Sequence, residues 1–216
     1  MSRTDTYLAD YELINAQSEE QSSRLASNEA MVGSALTLKE HSEDYTYEVF
    51  SEQGGSLGYI SPQNKLAFKS AFDQSKVKCI TLSLVYYSND DKQFMGELAY
   101  QFYTPDPNAH EDAQAFSNFF KHTQKLIEEG KRPQLQISAY EHDYIKDNNG
   151  ALEITKATPL PEFSKGEVVF KKQKSIADKM VQGLVSGTPQ DRIKVYALVI
   201  LVILIIIALI YFLFLR

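Results

Sequence analysis

The chain has 216 residues, 44% of them hydrophobic and 23% charged, with 10 Gly and 7 Pro. That length holds one ordinary domain with appendages, since domains run to roughly 100 to 200 residues, and the composition excludes two large domains, a disordered chain and a fibrous repeat. The net charge of −6 is unevenly placed: residues 1–162 carry 14 Lys plus Arg against 25 Asp plus Glu, whereas residues 163–194 carry 7 against 3. An acidic body argues against nucleic acid as the main partner, because phosphate binding needs clustered cations. The single cysteine, Cys79, precludes an intramolecular disulfide, and no Asn-x-Ser/Thr acceptor occurs; both suit a reducing compartment.

Residues 1–34 form a polar segment, rich in Ser, Glu and Gln around Gln17 to Ser27. Tyr7, Leu8, Tyr11 and Ile14 recur at helical spacing, which supports either a short docking helix or a mobile tail with one transient helix. From Ala35 the pattern turns to strands. Leu36 and Leu38 alternate, Tyr45, Tyr47 and Val49 alternate, and Gln53 to Ser56 supply a turn before Leu57 to Ile60, predicting a β-hairpin. At Ser61 to Asn64 two readings compete. Ser61 as N-cap with Pro62 behind it starts a helix bearing Ala67, Phe68, Ala71 and Phe72; alternatively the four residues are a tight turn, and Leu66 and Phe68 alternate on another strand. The apolar spacing that continues through Phe72 favours the helix.

Lys76 to Tyr87 is the strongest predicted strand, with Val77, Cys79, Thr81 and Ser83 on one face and Ile80, Leu82 and Leu84 on the other. Ser88 to Lys92 is its turn, and Phe94 to Tyr103 returns antiparallel. Asp106 and Pro107 then start a helix whose stripe of Ala109, Ala113, Phe116, Phe120 and Ile127 runs to a stop at Gly130. Gln134 to Tyr140 and Ala151 to Thr155 read as strands around an Asn149-Gly150 hairpin signal. Residues 159–194 read as a basic linker opened by Pro159, Pro161 and Gly166. Within it Ile176, Met180 and Leu184 share one face of a predicted interfacial helix; a plain stalk is the alternative.

Val195 to Leu215 contains no charged, amide or hydroxyl side chain apart from the phenols of Tyr196 and Tyr211. As a helix these residues are roughly 31 Å long, matching a hydrocarbon layer of about 30 Å, so a single transmembrane helix is expected. Lys171, Lys172, Lys174, Lys179, Arg192 and Lys194 precede it and only Arg216 follows. The positive-inside rule therefore places the N-terminal domain in the cytoplasm and the C-terminus on the opposite side, as in a tail-anchored protein. Tyr196 and Tyr211 fall at the two headgroup levels, and the six cations belong at the membrane surface. The span has no ionisable residue and no small-xxx-small pair, so an inert anchor is expected.

No linear motif assigns a catalytic, cofactor-binding or metal-ligating set. His110, Glu111 and Asp112 are consecutive on a helix, about 100° apart, and cannot converge on one metal. His122 is over three turns from His110, and His142 sits in the polar run Tyr140 to Asp143. Ile145 to Lys156 mimics a calcium loop around Gly150 but places Ile145 and Lys156 at the first and last ligand positions. Gly54, Gly55 and Gly58 lack the dinucleotide pattern, and Cys79 reads as a small core residue rather than a nucleophile.

The run from Tyr45 to Tyr87 resembles the HIRAN domain: strands up to Gly55, then Gly58, Tyr59 and Ile60, a helix with Ala67 and Ala71, and the long strand Val77 to Val85. That resemblance implies binding of nucleic-acid ends, although His41, Ser42, Glu43 and Asp44 stand where the family carries an Asn-Pro-Tyr-Asp element. Read with Leu66 to Phe68 as a strand, the same region is similar instead to a pleckstrin-homology-like barrel capped by the Asp106 helix. The expected fold is α+β, a mainly antiparallel sheet or partly open barrel with two or three helices over residues 35–158, plus the C-terminal membrane helix. The expected function is a non-enzymatic module that recruits a protein or lipid headgroup to the bilayer. A membrane-tethered enzyme whose site is assembled from loops, or HIRAN-like binding of nucleic-acid ends, is the alternative.

Overall fold

Alternation on both sides of the turn at Ser88–Lys92 builds the two longest strands of the computed structural model, which describes residues 5–41, 45–106, 110–162 and 168–170. In chain order the elements are β1 (Thr6–Ile14), α1 (Glu19–Ala26), β2 (Thr37–Glu40), β3 (Tyr47–Phe50), β4 (Ser56–Ile60), α2 (Lys65–Gln74), β5 (Val77–Ser88), β6 (Gln93–Thr104), α3 (His110–Glu128), α4 (Ala139–Asp147) and β7 (Val168–Phe170). The fold is α+β. One antiparallel sheet runs β1-β6-β5-β7 and the other runs β2-β3-β4.

The two sheets join at both sides. At one seam the amide of Leu36 donates to Ile80 O and that of Leu82 to Ser34 O, while at the other Asn15 and Tyr59 exchange both backbone bonds at 2.9 and 3.0 Å. Six strands, β1-β6-β5-β2-β3-β4, thereby wrap one core of Leu25, Tyr47, Val49, Leu57, Leu82, Leu98 and Phe102. The second seam depends on a glycine. Gly58 has φ +137°, and a Cβ there would lie 2.5 Å from the Asn15 carbonyl oxygen. A bulge between Leu82 and Leu84 sets Ser83 out of register and lets both leucines bury.

Several expectations are corrected. Residues 6–14 are a strand, not a helix. Tyr7, Ala9 and Tyr11 alternate with Leu8 and Ile14, and both faces are covered, one by the main core and one by α3, so a two-sided strand imitates helical spacing. The helix of that N-terminal segment is α1, capped by the Ser18 side chain. Residues 134–140 and 151–155 do not form ladder strands. Ser138 and Glu141 make a capping box that starts α4, Ile145 buries, and Asn149 and Gly150 end the helix at φ 51° and 85° instead of turning a hairpin. One bridge, Pro133 to Ala157, joins the residues just outside these two segments. Four helices occur among the described residues where two or three were expected, and Val168–Phe170 of the supposed linker pairs with Val85–Tyr87 as an edge strand.

Other readings hold. α2 is a helix, capped by Asn64 rather than Ser61, and it directs Phe68 and Phe72 against Tyr47 and Phe102. α3 ends at Gly130 in a Schellman arrangement, Gly130 N–H to Ile127 O and Lys131 N–H to Leu126 O. The predicted start of that helix at Pro107, Lys171 to Lys194 and the apolar Val195–Leu215 run lie outside the described residues. Among the described residues no helix is long and apolar enough to cross a membrane.

Candidate functional site

In antiparallel pairing, alternate residues direct their backbone groups to opposite neighbours. Asn15 bonds to Tyr59 on β4, so Tyr7, Ala9, Tyr11 and Leu13, which share its phase, point their N–H and C=O groups away from β6. Below Asn15 the chain that should have continued β4 turns into α2. Among the described residues no strand covers this edge from Thr6 to Leu13. Of these outward amides Tyr11 N–H has a partner, the carboxylate of its neighbour Asp10 at 2.9 Å.

Beside the edge runs a groove of about 310 Å³ lined by Asp10, Tyr11, Gln134, Gln136, Thr158 and Pro159, among others. Its far wall is the ribbon formed by residues 132–136 and 156–158, and side chains of β1 itself pin that ribbon. Tyr7 Oη donates to Leu135 O at 2.6 Å and Tyr11 Oη to Pro133 O at 2.7 Å. Burial pushes both phenols well above their ordinary range, so they remain donors. Arg132 stacks 3.9 Å above the Tyr11 ring and grips Glu97 with two bonds, Nε to Oε1 at 3.2 Å and Nη2 to Oε2 at 2.7 Å. Ser83, placed by the bulge, donates to the same Glu97 carboxylate. Glu97 is 2% exposed and Arg132 13%, a buried pair that fixes one wall of the groove.

Glu12 lies two residues beyond Asp10, on the same strand face, and accepts from Gln63 N–H at 3.3 Å. Its half-buried carboxyl is pushed up to about 6, by desolvation first and by Asp10 next, against the pull of the Gln63 hydrogen bond. Cross-strand, Asp10 faces Tyr100 and Glu12 faces Leu98, neither a cation. Among the described residues neither carboxylate has a Lys or Arg partner.

A second cluster holds the start of β1. Asp5 Oδ2 lies 2.5 Å from Lys146 Nζ and 3.4 Å from His142 Nε2, and it accepts from Tyr103 Oη at 3.1 Å. Burial acts to raise the Asp5 carboxyl; the Lys146 hydrogen bond, with His142 and Tyr103, outweighs it and holds the group below the usual carboxylate range. The Tyr103 ring is fully buried and stacks on Phe116 at 3.7 Å, and its phenol is pushed far up by burial and Asp5. The groups satisfy one another, and the result is a clamp between β1 and α4. His142, expected on a strand end, is on α4 in this clamp.

The remaining sequence candidates are dispersed. His110 opens α3, with Glu111 and Asp112 following, and Asp112 turns to Lys146 at 3.7 Å. His122 is exposed further along the same helix. Cys79 packs beside Tyr7 and Phe116, 3.4 Å from Thr81 Oγ1, and burial pushes its thiol up, which suits a packed side chain rather than a nucleophile. No group of three or more metal-ligating side chains forms among the described residues. Tyr140 and Tyr144 form an exposed pair on α4, 77% and 38% exposed. The membrane-surface residues Lys171, Lys172, Lys174, Lys179, Arg192 and Lys194, and the interface residues Tyr196 and Tyr211, lie outside the described residues. The sequence reading missed the β1 edge, because a site made of backbone groups leaves no motif; the period-two placement of Asp10 and Glu12 between Leu8 and Ile14 was its one signal.

Compared with protein-family models, with curated proteins and with solved structures, the chain matches none.

Proposed function

We propose that this chain is a single-pass membrane protein whose cytoplasmic domain recruits a protein partner by taking an extended segment of it along β1. The observation that carries the reading is the β1 edge, which has no strand partner from Thr6 to Leu13 among the described residues and is bordered by a groove whose far wall the side chains of β1 pin. Strand addition draws affinity from main-chain hydrogen bonds and specificity from side chains at alternate positions. An exposed edge is otherwise an aggregation hazard that folded proteins cover or charge. Here the two sheets are bridged at Ala35–Thr81 and at Asn15–Tyr59, and β1 continues below the second bridge without a strand beside it among the described residues. The apolar run Val195–Leu215 supports a membrane tether, and the Lys/Arg excess before it supports a cytoplasmic domain. The core is filled by Tyr47, Phe68, Leu82 and Phe102, so partner binding belongs on the outside of the strands.

Site-specific photocrosslinking in native membranes tests this. A benzophenone side chain at Leu13 should trap a partner chain that the same group at His122, across α3, does not trap. Equal trapping at both positions, or none at Leu13, would overturn the reading.

A further inference from the structure

We propose that the segment received along β1 is a basic one, with Lys or Arg at alternate positions, and that Asp10 and Glu12 select it. This rests on the reading of the β1 edge as a docking site and adds the chemistry of its occupant. Asp10 and Glu12 are separated by one residue, so their side chains stand on one face of the strand. A newly added strand would place its own side chains about 5 Å away on that face, and residues two apart on it would meet the two carboxylates in turn. The described residues supply no counter-ion there. Across β6 stand Tyr100 and Leu98, and Glu12 receives only the Gln63 amide.

Elsewhere near this site the protein pairs its charges. Glu97 is held by Arg132, and Asp5 by Lys146. Two carboxylates without a cation among the described residues, standing at period two on the β1 edge and one of them half-buried, form an incomplete electrostatic arrangement that a cation from outside completes. Asp10 is also placed to act as a gate. Its carboxylate caps the outward Tyr11 N–H at 2.9 Å, and an arriving cation that draws it away frees that donor for the incoming strand. An acidic segment would meet both carboxylates directly, and an anionic lipid surface or nucleic-acid backbone would be repelled for the same reason.

The test uses the full chain in nanodiscs of neutral phosphatidylcholine. Three fluorescein-labelled nonapeptides are compared by anisotropy: one alternating Lys with Val or Thr, a twin with Glu for each Lys, and the Lys peptide N-methylated at the amides that would face β1. The Lys peptide should bind at least about ten-fold more tightly than its Glu twin, at roughly three-fold per opposite-charge pair. The double variant Asp10→Asn, Glu12→Gln should lose about ten-fold for the Lys peptide while the Glu twin gains, and N-methylation should abolish binding. Equal binding of the Lys and Glu peptides, with N-methylation still abolishing both, would overturn the basic selection and leave the edge reading standing. Binding that N-methylation does not affect, or no binding by any peptide either to the parent or after Lys171, Lys172, Lys174 and Lys179 are changed to Gln, would overturn the edge reading itself. Binding that appears only after Lys171, Lys172, Lys174 and Lys179 are changed to Gln would show that the chain's own basic stretch fills the edge, and would overturn the proposal of a separate partner.

Discussion

Glu12→Gln should stabilise the protein at neutral pH, and the gain should vanish in acid. The structure sets the sign. The Glu12 carboxyl is raised from 4.5 to about 6, so the folded state holds its proton more tightly than the unfolded chain does. Between those values the folded state binds more protons, and stability falls as pH rises through the window. Fully expressed, that interval corresponds to about 2 kcal/mol; a half-exposed site screened by water reduces it to about 1 kcal/mol. Above about pH 6 the parent bears the whole cost of an ionised, desolvated carboxylate beside Asp10. The neutral amide that replaces it bears none of that cost and still offers an oxygen to Gln63 N–H. Urea unfolding of parent and variant in non-ionic detergent, followed by tyrosine circular dichroism from pH 4 to 8, measures the difference directly. The variant should be more stable by about 1 kcal/mol at pH 7 and equal to the parent near pH 4. A variant less stable at pH 7, or a difference independent of pH, would refute the reasoning.

Gly58→Ala should cost about 2 to 4 kcal/mol, since its Cβ collides with the Asn15 carbonyl and its φ of +137° suits only glycine; loss of slow amide exchange at Tyr59 ahead of the rest of the domain would check it. Glu97→Gln should cost about 3 kcal/mol by leaving Arg132 buried without its charge partner, and the pair Glu97→Leu, Arg132→Met should recover much of that, as a double-mutant cycle in urea would measure. In a chain cut after Lys194, replacing Lys171, Lys172, Lys174 and Lys179 by Gln should abolish salt-sensitive binding to anionic liposomes, at about 1 kcal/mol per lysine; equal binding of both forms would make the stretch a spacer.

The central part of the fold was legible because its local signals agree with one another. β5 and β6 are long β-branched and aromatic runs on either side of one turn, the β3–β4 hairpin has its Gly54-Gly55 turn, and α3 carries Phe116 and Phe120 to a glycine stop. The errors sit where that condition fails. β1 is covered on both faces, so its apolar residues satisfy a helical template as well as a strand. At α4 the Asn149-Gly150 pair suits a hairpin turn and a helix end equally, since both need positive φ. The capping box at Ser138 and Glu141 was the local signal that decides between them.

The candidate site was illegible for a deeper reason. Its donors and acceptors are main-chain groups of Tyr7, Ala9, Tyr11 and Leu13, of a kind that nearly every residue possesses, and they lack a strand partner among the described residues because the chain after Ile60 leaves the sheet to form α2. That departure depends on Gly58 letting Asn15 meet Tyr59 and on Asn64 capping the helix immediately afterwards, so one short stretch both seals the seam and uncovers the edge. Side chains record the result only indirectly. Two carboxylates stand at period two on a strand whose described neighbours provide no cation, and desolvation pushes the carboxyl of one of them up. Selection for stability alone would replace Glu12 with a neutral residue, whereas a strand that must attract a basic segment and repel further copies of its own acidic edge has use for the charge.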